Sequence, residues 1–200
     1  SSRKGATRVV LQIGHCSQSV GAADLVDPIS EALRDDAYLV LAGCDGACYD
    51  APVVIVKSPS GQNRRFLRVG SGSLTEIVAC VRDGVSSTAM DTCDVFSGQR
   101  RLALSLCGEV AGNEIDDYIA QEGYKGLAVA LSMTPERVIE EVKASGLRGR
   151  GGAYFPTGVK WESARAVDRT PRFLVVNSEE GEPGVFKDRH LMEGVPHRIL

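Results

Sequence analysis

The sequence predicts an α/β fold, and three observations support that prediction. Runs rich in β-branched residues are typical of strands, and they lie at residues 7–13, 38–42, 52–56 and 65–69. Apolar residues at helical spacing occupy residues 21–34 and 73–82. A 200-residue chain with 43% hydrophobic residues is long enough to bury such a sheet. The first 84 residues therefore predict an open sheet built in the order β-α-β-β-β-α.

The remaining elements follow from local signals along the chain. Ser73 with Glu76 predicts a capping box at the start of helix 73–82. Residues 85–113 are less regular and are predicted to be a linker around one strand at 101–106. A helix is expected over 115–131 with a break at Gly123. We therefore divide the chain into a first domain at 1–84, the linker at 85–113 and a second domain at 114–200.

The second domain is predicted to open on well-capped helices. Thr134 followed by Pro135 and an acidic residue is a strong helix start, and that helix is expected to end before Gly146. A further helix is expected from Trp161. A β-branched run at 172–176 predicts a strand before the acidic segment that follows.

Composition and charge exclude several function classes. A net charge of −3 argues against a protein built to hold nucleic acid. No apolar run approaches the roughly 20 residues of a membrane-spanning helix, and the first residues lack the apolar stretch of a signal peptide. We therefore expect a cytoplasmic protein without direct membrane insertion.

Residues 146–161 form a glycine-rich segment with two alternative interpretations. Its five glycines would allow sharp turns and close approach to a ligand, and Lys160 near a helix start suits a phosphate group. Glycine-rich loops that bind nothing are also common. The segment is neither a Rossmann fingerprint nor a P-loop, because it follows a helix and carries no Gly-Lys-Ser/Thr.

Residues 177–182 form an acidic loop after the predicted strand. It contains Asn177, Glu179, Glu180 and Glu182. A solvated loop is one interpretation. The other is that these groups accept hydrogen bonds from a polar heterocycle or a ribose, with Asn177 also able to donate.

The two segments together resemble a known family. GRGGAYFPTGVKW at 149–161, NSEEGEPGVFKDR at 177–189, LME at 191–193 and PH at 196–197 resemble the NADH-binding flavoprotein subunit of respiratory complex I and of NAD-linked hydrogenases. The resemblance implies a cofactor role for these residues in an FMN and NADH site: Gly149, Arg150, Gly151, Gly152, Phe155, Lys160, Asn177, Glu179, Glu180 and Glu182. It places Phe155 and Glu182 facing NADH, with Glu182 as the catalytic candidate.

Three positions depart from the family pattern. Tyr154 replaces a usual glycine, Glu179 replaces a usual aspartate, and Ser163 stands where an aromatic residue is often found. These departures keep an alternative open, in which the chain is a structural or electron-wiring subunit with a degenerate flavin and NADH site.

Three cysteines are candidate metal ligands. Cys44 and Cys48 have C-x3-C spacing after the second strand, and Cys16 follows the first. With the predicted element order they resemble a thioredoxin-like [2Fe–2S] ferredoxin domain, in which four ligands are normal. His15 could replace the fourth cysteine; the alternative is a degenerate domain with buried thiols. Cys80, Cys93 and Cys107 are expected in the core, and no catalytic role is expected for His190 or His197.

The resemblance implies an electron-transfer flavoprotein subunit of the NADH dehydrogenase or diaphorase type. Its partners would be ferredoxin-like and iron–sulfur subunits of a larger redox complex. The family's flavin domain continues with a second glycine-rich segment and a [4Fe–4S] motif. We therefore expect this chain to be the front part of a longer subunit, whose [4Fe–4S] cluster would belong to the later part.

Overall fold

The computed structural model describes residues 5–33, 37–85 and 96–200. Its four strands are β1 (Thr7–Gln12), β2 (Ala37–Ala42), β3 (Val54–Lys57) and β4 (Asn63–Phe66). They form one sheet in the order β2-β1-β3-β4. The β1 strand runs parallel to β2 and antiparallel to β3, and β4 runs antiparallel to β3. The mixed α/β prediction and its four strands in the first 84 residues are confirmed.

Eight α-helices are present in the described ranges. They are α1 (His15–Ser19), α2 (Val26–Ala32), α3 (Leu74–Arg82), α4 (Ile115–Ala120), α5 (Lys125–Ala130), α6 (Pro135–Ala144), α7 (Thr157–Ala166) and α8 (Lys187–Gly194). None of these helices is long and apolar enough to cross a membrane.

The central strand β1 is buried on both faces, which explains its continuous apolar run. Val9 and Leu11 lie in a core cluster with Ile29 of α2 and Ile77 of α3, so these two helices cover one face. Val10 belongs to a separate cluster on the opposite face. Alternating side chains of one strand thus contribute to two apolar layers.

The chain forms two compact units. One consists of Ser1–Gln121 with Ser178–Leu200, and the other of Glu122–Asn177. Within the first unit, Val195 packs with Cys107 and Val110 in a third apolar cluster. Cys80 lies in the core beside the sheet, so the core positions predicted for Cys80 and Cys107 are confirmed. Cys93 lies outside the described residues. The predicted domain boundaries stay a prediction.

Two predicted strands are wrong. Residues 101–106 form successive turns, in which the Cys107 N–H donates to the Leu104 carbonyl at 3.1 Å. Residues 172–176 have no regular secondary structure, and Phe173 and Leu174 are 81% and 92% exposed. A β-branched run indicates only that a segment fits a sheet, because a strand also requires a partner.

Capping predictions had mixed outcomes. The Thr134 hydroxyl accepts from Arg137 N–H at 3.3 Å, as predicted for the start of α6. The Ser73 hydroxyl makes no cap bond to α3; it accepts from Gly70 N–H at 3.4 Å instead. That predicted capping box is therefore wrong, because the hydroxyl closes the preceding turn. The predicted break near Gly123 is confirmed, and it separates α4 from α5.

Candidate functional site

The glycine-rich loop is closed by backbone hydrogen bonds at its base. Gly149 N–H donates to the Phe155 carbonyl at 2.8 Å, and Thr157 N–H donates to the Leu147 carbonyl at 2.9 Å. A Cβ added at Gly151 or Gly152 would meet no atom within 4 Å. Gly152 also has a φ of 98°, which disfavours any side chain. The tip of the loop therefore presents backbone with open space beside it.

Helix α7 follows the loop directly and is held against α6. It begins at Thr157, four residues before the predicted start at Trp161, because Pro156 at its N-cap fixes the entry. A Cβ on Gly158 would lie 2.5 Å from Lys143 Cγ, so only glycine permits this approach of the two helices. Lys160 is exposed in the first turn of α7, the end of a helix that favours anions.

Tyr154 changes the surface of the same loop. Its φ of 55° is in the left-handed region, which is uncommon for a residue with a large side chain. The guanidinium carbons of Arg148 and Arg150 lie 5.5 Å and 5.7 Å from the centre of its ring. These are cation–π distances. Arg150, a predicted cofactor contact, is therefore placed on the tyrosine ring.

The predicted residues of the acidic loop are divided between the two units. Asn177 belongs to Glu122–Asn177, and the three glutamates belong to the other unit. The Glu180 carboxylate accepts from Asp188 N–H at 2.6 Å and so caps the start of α8. Glu182 is exposed. The cofactor roles of these residues, and those of the glycine loop, stay predictions.

The structure brings the predicted cysteines together on the wall of one cavity. The cavity has a volume of about 490 Å³, and Cys16, Cys44 and Cys48 all line it. The sulfur atoms of Cys44 and Cys48 are 4.0 Å apart. Burial, followed by the neighbouring Cys44 and Cys16, raises the pKa of the Cys48 thiol to about 12. Burial also raises the pKa of Cys44.

His190 of α8 joins this cluster, which the sequence did not reveal. One of its ring nitrogens and the Cys44 and Cys48 sulfurs all lie within 4.8 Å of one another. His15, the predicted replacement for a fourth cysteine, is 70% exposed and pairs with Glu193 at 3.1 Å. Nothing in the spacing of the sequence indicates that α8 meets the cysteine loop, so no local signal could have selected His190.

Asp45 anchors the cysteine loop to the sheet. Its buried carboxylate accepts from Gln12 Nε2 at 3.0 Å and from Ala47 N–H at 2.9 Å, and it pairs with Arg65 at 2.6 Å. Gly46, at a φ of 103°, donates its N–H to the Cys44 sulfur at 3.2 Å. The loop backbone and the Cys44 sulfur are therefore held in place by the protein itself.

Close backbone packing places α8 beside that loop. A Cβ on Gly43 would lie 2.2 Å from Gly194 Cα, so the two glycines are in direct contact. Gly194 is the last residue of α8 and lies one turn after His190. This contact fixes the position of α8 so that His190 lies next to the Cys44 and Cys48 thiols.

The second part of the chain is similar to known proteins. Residues 142–200 match the model of the Nuo51 FMN-binding domain. The chain is 50% identical over 102 residues to the NADP-reducing hydrogenase subunit HndC of Solidesulfovibrio fructosivorans, covering 51% of this chain and 21% of that protein.

A second relative comes from another class of redox complex. An NADH-quinone oxidoreductase subunit of Streptomyces coelicolor is 51% identical over 86 residues, covering 43% of this chain and 19% of that protein. The chain thus spans about a fifth of the length of these relatives. A crystal structure of an NAD+-reducing [NiFe]-hydrogenase in the air-oxidized state aligns with 96% of this chain and 33% of its own, at a TM-score of 0.39 and 21% identity.

Proposed function

We propose that this chain belongs to an FMN-containing flavoprotein subunit, which exchanges electrons between NADH and the iron–sulfur clusters of a larger complex. The observation that carries the proposal is the match of residues 142–200 to an FMN-binding family. Sequence identities of 50% and 51% to subunits of an NADP-reducing hydrogenase and an NADH-quinone oxidoreductase support an oxidoreductase function.

The glycine loop fits a flavin phosphate. Gly151 and Gly152 leave open space beside the backbone, Gly149 closes the base of the loop, and Lys160 adds a cation at the start of α7. Arg150 would contribute a second cation. Bound FMN would supply the chemistry of taking two electrons from NADH and releasing them singly, while the protein supplies position and charge.

The remaining predicted residues would orient the two cofactors. Asn177 offers a donor and an acceptor to the isoalloxazine, together with Glu179 and Glu180. Phe155 is 52% exposed and would stack on the nicotinamide nucleotide. The resemblance also assigns Glu182 to NADH. The partners would be the ferredoxin-like and iron–sulfur subunits of the complex.

The first unit would be the module that precedes the flavin domain, and it would carry electrons only if its cysteines held an iron–sulfur cluster. Its sheet order β2-β1-β3-β4, with one parallel and two antiparallel pairs, supports the predicted thioredoxin-like ferredoxin domain. A [2Fe–2S] cluster on Cys16, Cys44 and Cys48 stays a prediction. These residues supply three thiolates where four ligands are normal, and the geometry around them favours a different occupant.

Substitution of Gly151 tests the flavin site sharply. A side chain at this position meets no protein atom within 4 Å, so Gly151→Val should leave the fold intact and obstruct only a ligand. We expect the dissociation constant for FMN, measured by quenching of flavin fluorescence, to rise about tenfold or more, equivalent to about 1.4 kcal/mol.

Gly126→Ala is the matched control, because Gly126 is equally open but lies in α5 away from the loop. The titration uses both the 200-residue chain and the purified native complex. Equal FMN affinity for Gly151→Val and Gly126→Ala in the complex would contradict the assignment of the loop.

A second candidate function is a structural or electron-wiring subunit without flavin. The observation that favours it is the Tyr154 ring, which lies within cation–π distance of Arg148 and Arg150 in the glycine loop. The visible spectrum of the purified complex separates the two functions. If this subunit shows the two visible absorption bands of oxidised isoalloxazine, it binds flavin, and the second function is excluded.

A further inference from the structure

We propose that Cys44, Cys48 and His190 are three ligands of a single tetrahedral metal ion of the Zn²⁺ class, with Cys16 as the fourth ligand. This site lies in the first unit and uses none of the residues assigned to FMN or NADH. Its success or failure is therefore independent of the proposed flavin function.

The distances between donors fit one metal ion. Zn–S bonds of about 2.3 Å in a tetrahedron place two sulfurs about 3.8 Å apart. The Cys44 and Cys48 sulfurs are 4.0 Å apart, and the ring nitrogen lies within 4.8 Å of both. Small rotations of these side chains would bring all three donors to bonding distance. The loop already holds the Cys44 sulfur through the Gly46 N–H, and Asp45 anchors its backbone at Ala47.

The imidazole of His190 is oriented as a metal ligand. Its Nδ1 lies 3.1 Å from the Phe186 carbonyl, to which it can only donate. The Nε2 atom then carries the lone pair, and it is buried without a hydrogen-bond partner among the described residues. A ligating histidine typically donates its other nitrogen to a carbonyl in this way. A buried acceptor left unpaired is otherwise costly.

Cys16 of α1 completes the donor set. It lines the same cavity as the other three donors. Two or three thiolates with one imidazole select soft, tetrahedral ions. Each iron of a [2Fe–2S] cluster takes only two protein ligands. Three donors gathered within 4.8 Å therefore favour a single ion over a cluster.

Metal analysis of the purified 200-residue chain tests the site. The chain is produced with zinc and iron both supplied, and metal and acid-labile sulfide are measured together. We expect one zinc per chain without sulfide. X-ray absorption should show sulfur at about 2.3 Å and nitrogen at about 2.0–2.1 Å from the metal.

Variants of two histidines test the role of His190. His190→Ala should weaken zinc binding by more than about 100-fold, since loss of even an outer partner costs 10- to 100-fold. His197→Ala is the control, because its ring stacks on Tyr118 outside the cavity. His190→Cys should retain zinc and shift the absorption spectrum towards sulfur alone.

Three outcomes would overturn the proposal. One is iron with an equal amount of labile sulfide, which would indicate a cluster. Another is zinc that His190→Ala binds as tightly as His197→Ala does, while circular dichroism shows both variants folded. The third is a chain that binds neither metal after reduction and zinc titration.

Discussion

The Arg8–Asp117 pair is the best-connected ion pair in the described part of the first unit. Both Asp117 oxygens accept from the Arg8 guanidinium, at 2.5 Å and 2.6 Å, and one of them also accepts from Ala111 N–H at 2.7 Å. Burial opposes ionisation of Asp117, but the bonds from Arg8 and Ala111 outweigh it and lower its pKa. A bidentate pair of this kind is stronger than a typical surface pair.

Asp117→Asn should destabilise the fold by about 2–3 kcal/mol at pH 7, because hydrogen bonds to a charged group are lost. A depressed folded pKa contributes stability above the unfolded value of about 3.9 and loses it as pH falls through the folded value. The difference between wild type and variant should therefore shrink below about pH 4. Urea unfolding at a series of pH values measures it.

Asp116→Asn provides the control, because Asp116 is the exposed neighbour on the same helix. If this variant lost as much stability as Asp117→Asn, the pair with Arg8 would not be the cause. A difference between wild type and Asp117→Asn that stayed constant down to pH 3 would likewise contradict the linkage.

At the scale of elements, glycine contacts decide which helices meet. Gly43 touches Gly194 and so positions α8, and Gly158 positions α7 against α6 in the same way. Neither glycine contributes a side chain to the contact. The packing therefore depends on the absence of a Cβ at these positions rather than on an apolar pattern.

Gly43→Ala should push α8 away from the cysteine loop. The added Cβ would lie 2.2 Å from Gly194 Cα, and such overpacking against backbone costs about 1–3 kcal/mol. We also expect Cys44 and Cys48 to react faster with a thiol reagent. Gly72→Ala is the matched control, since its Cβ would meet nothing within 4 Å. Equal stability and labelling rates in the two variants would contradict the role of this contact.

The sequence predicted correctly those helices and strands whose position depends on neighbouring residues in the chain. Thr134 and Pro135 are sufficient to start α6, and the β-branched runs located all four strands of the sheet. The failures at 101–106 and 172–176 have one physical reason, because a strand depends on a partner that can lie anywhere in the sequence. His190 was missed for the same reason, since its neighbours come from a distant loop.

The whole molecule combines a well-buried sheet with a segment that packs poorly. Val9, Val10 and Leu11 of β1 are fully buried, whereas residues 173–175 are each more than 80% exposed. Backbone amides in a paired, buried strand exchange only on extensive unfolding, and unpaired exposed amides exchange freely.

Hydrogen exchange followed by mass spectrometry should show this contrast. We expect peptides from β1 and β3 to exchange roughly a hundredfold or more slowly than a peptide covering 172–176. The same peptides in denaturant correct for intrinsic rates. Strong protection of 172–176 in the 200-residue chain would show that this segment pairs as a strand after all.

The contact between Gly43 and Gly194 joins two parts of the chain that are synthesised at different times. Residues 5–33 and 37–85 contain all four described strands together with Cys16, Cys44 and Cys48. These parts can therefore fold while the ribosome is still translating the rest of the chain. His190 emerges much later, and closing so long a loop is slow compared with pairing neighbouring strands. In the nascent chain, a metal ion would therefore first bind the cysteine thiols alone. The imidazole of His190 would become a ligand only after α8 has packed against the cysteine loop.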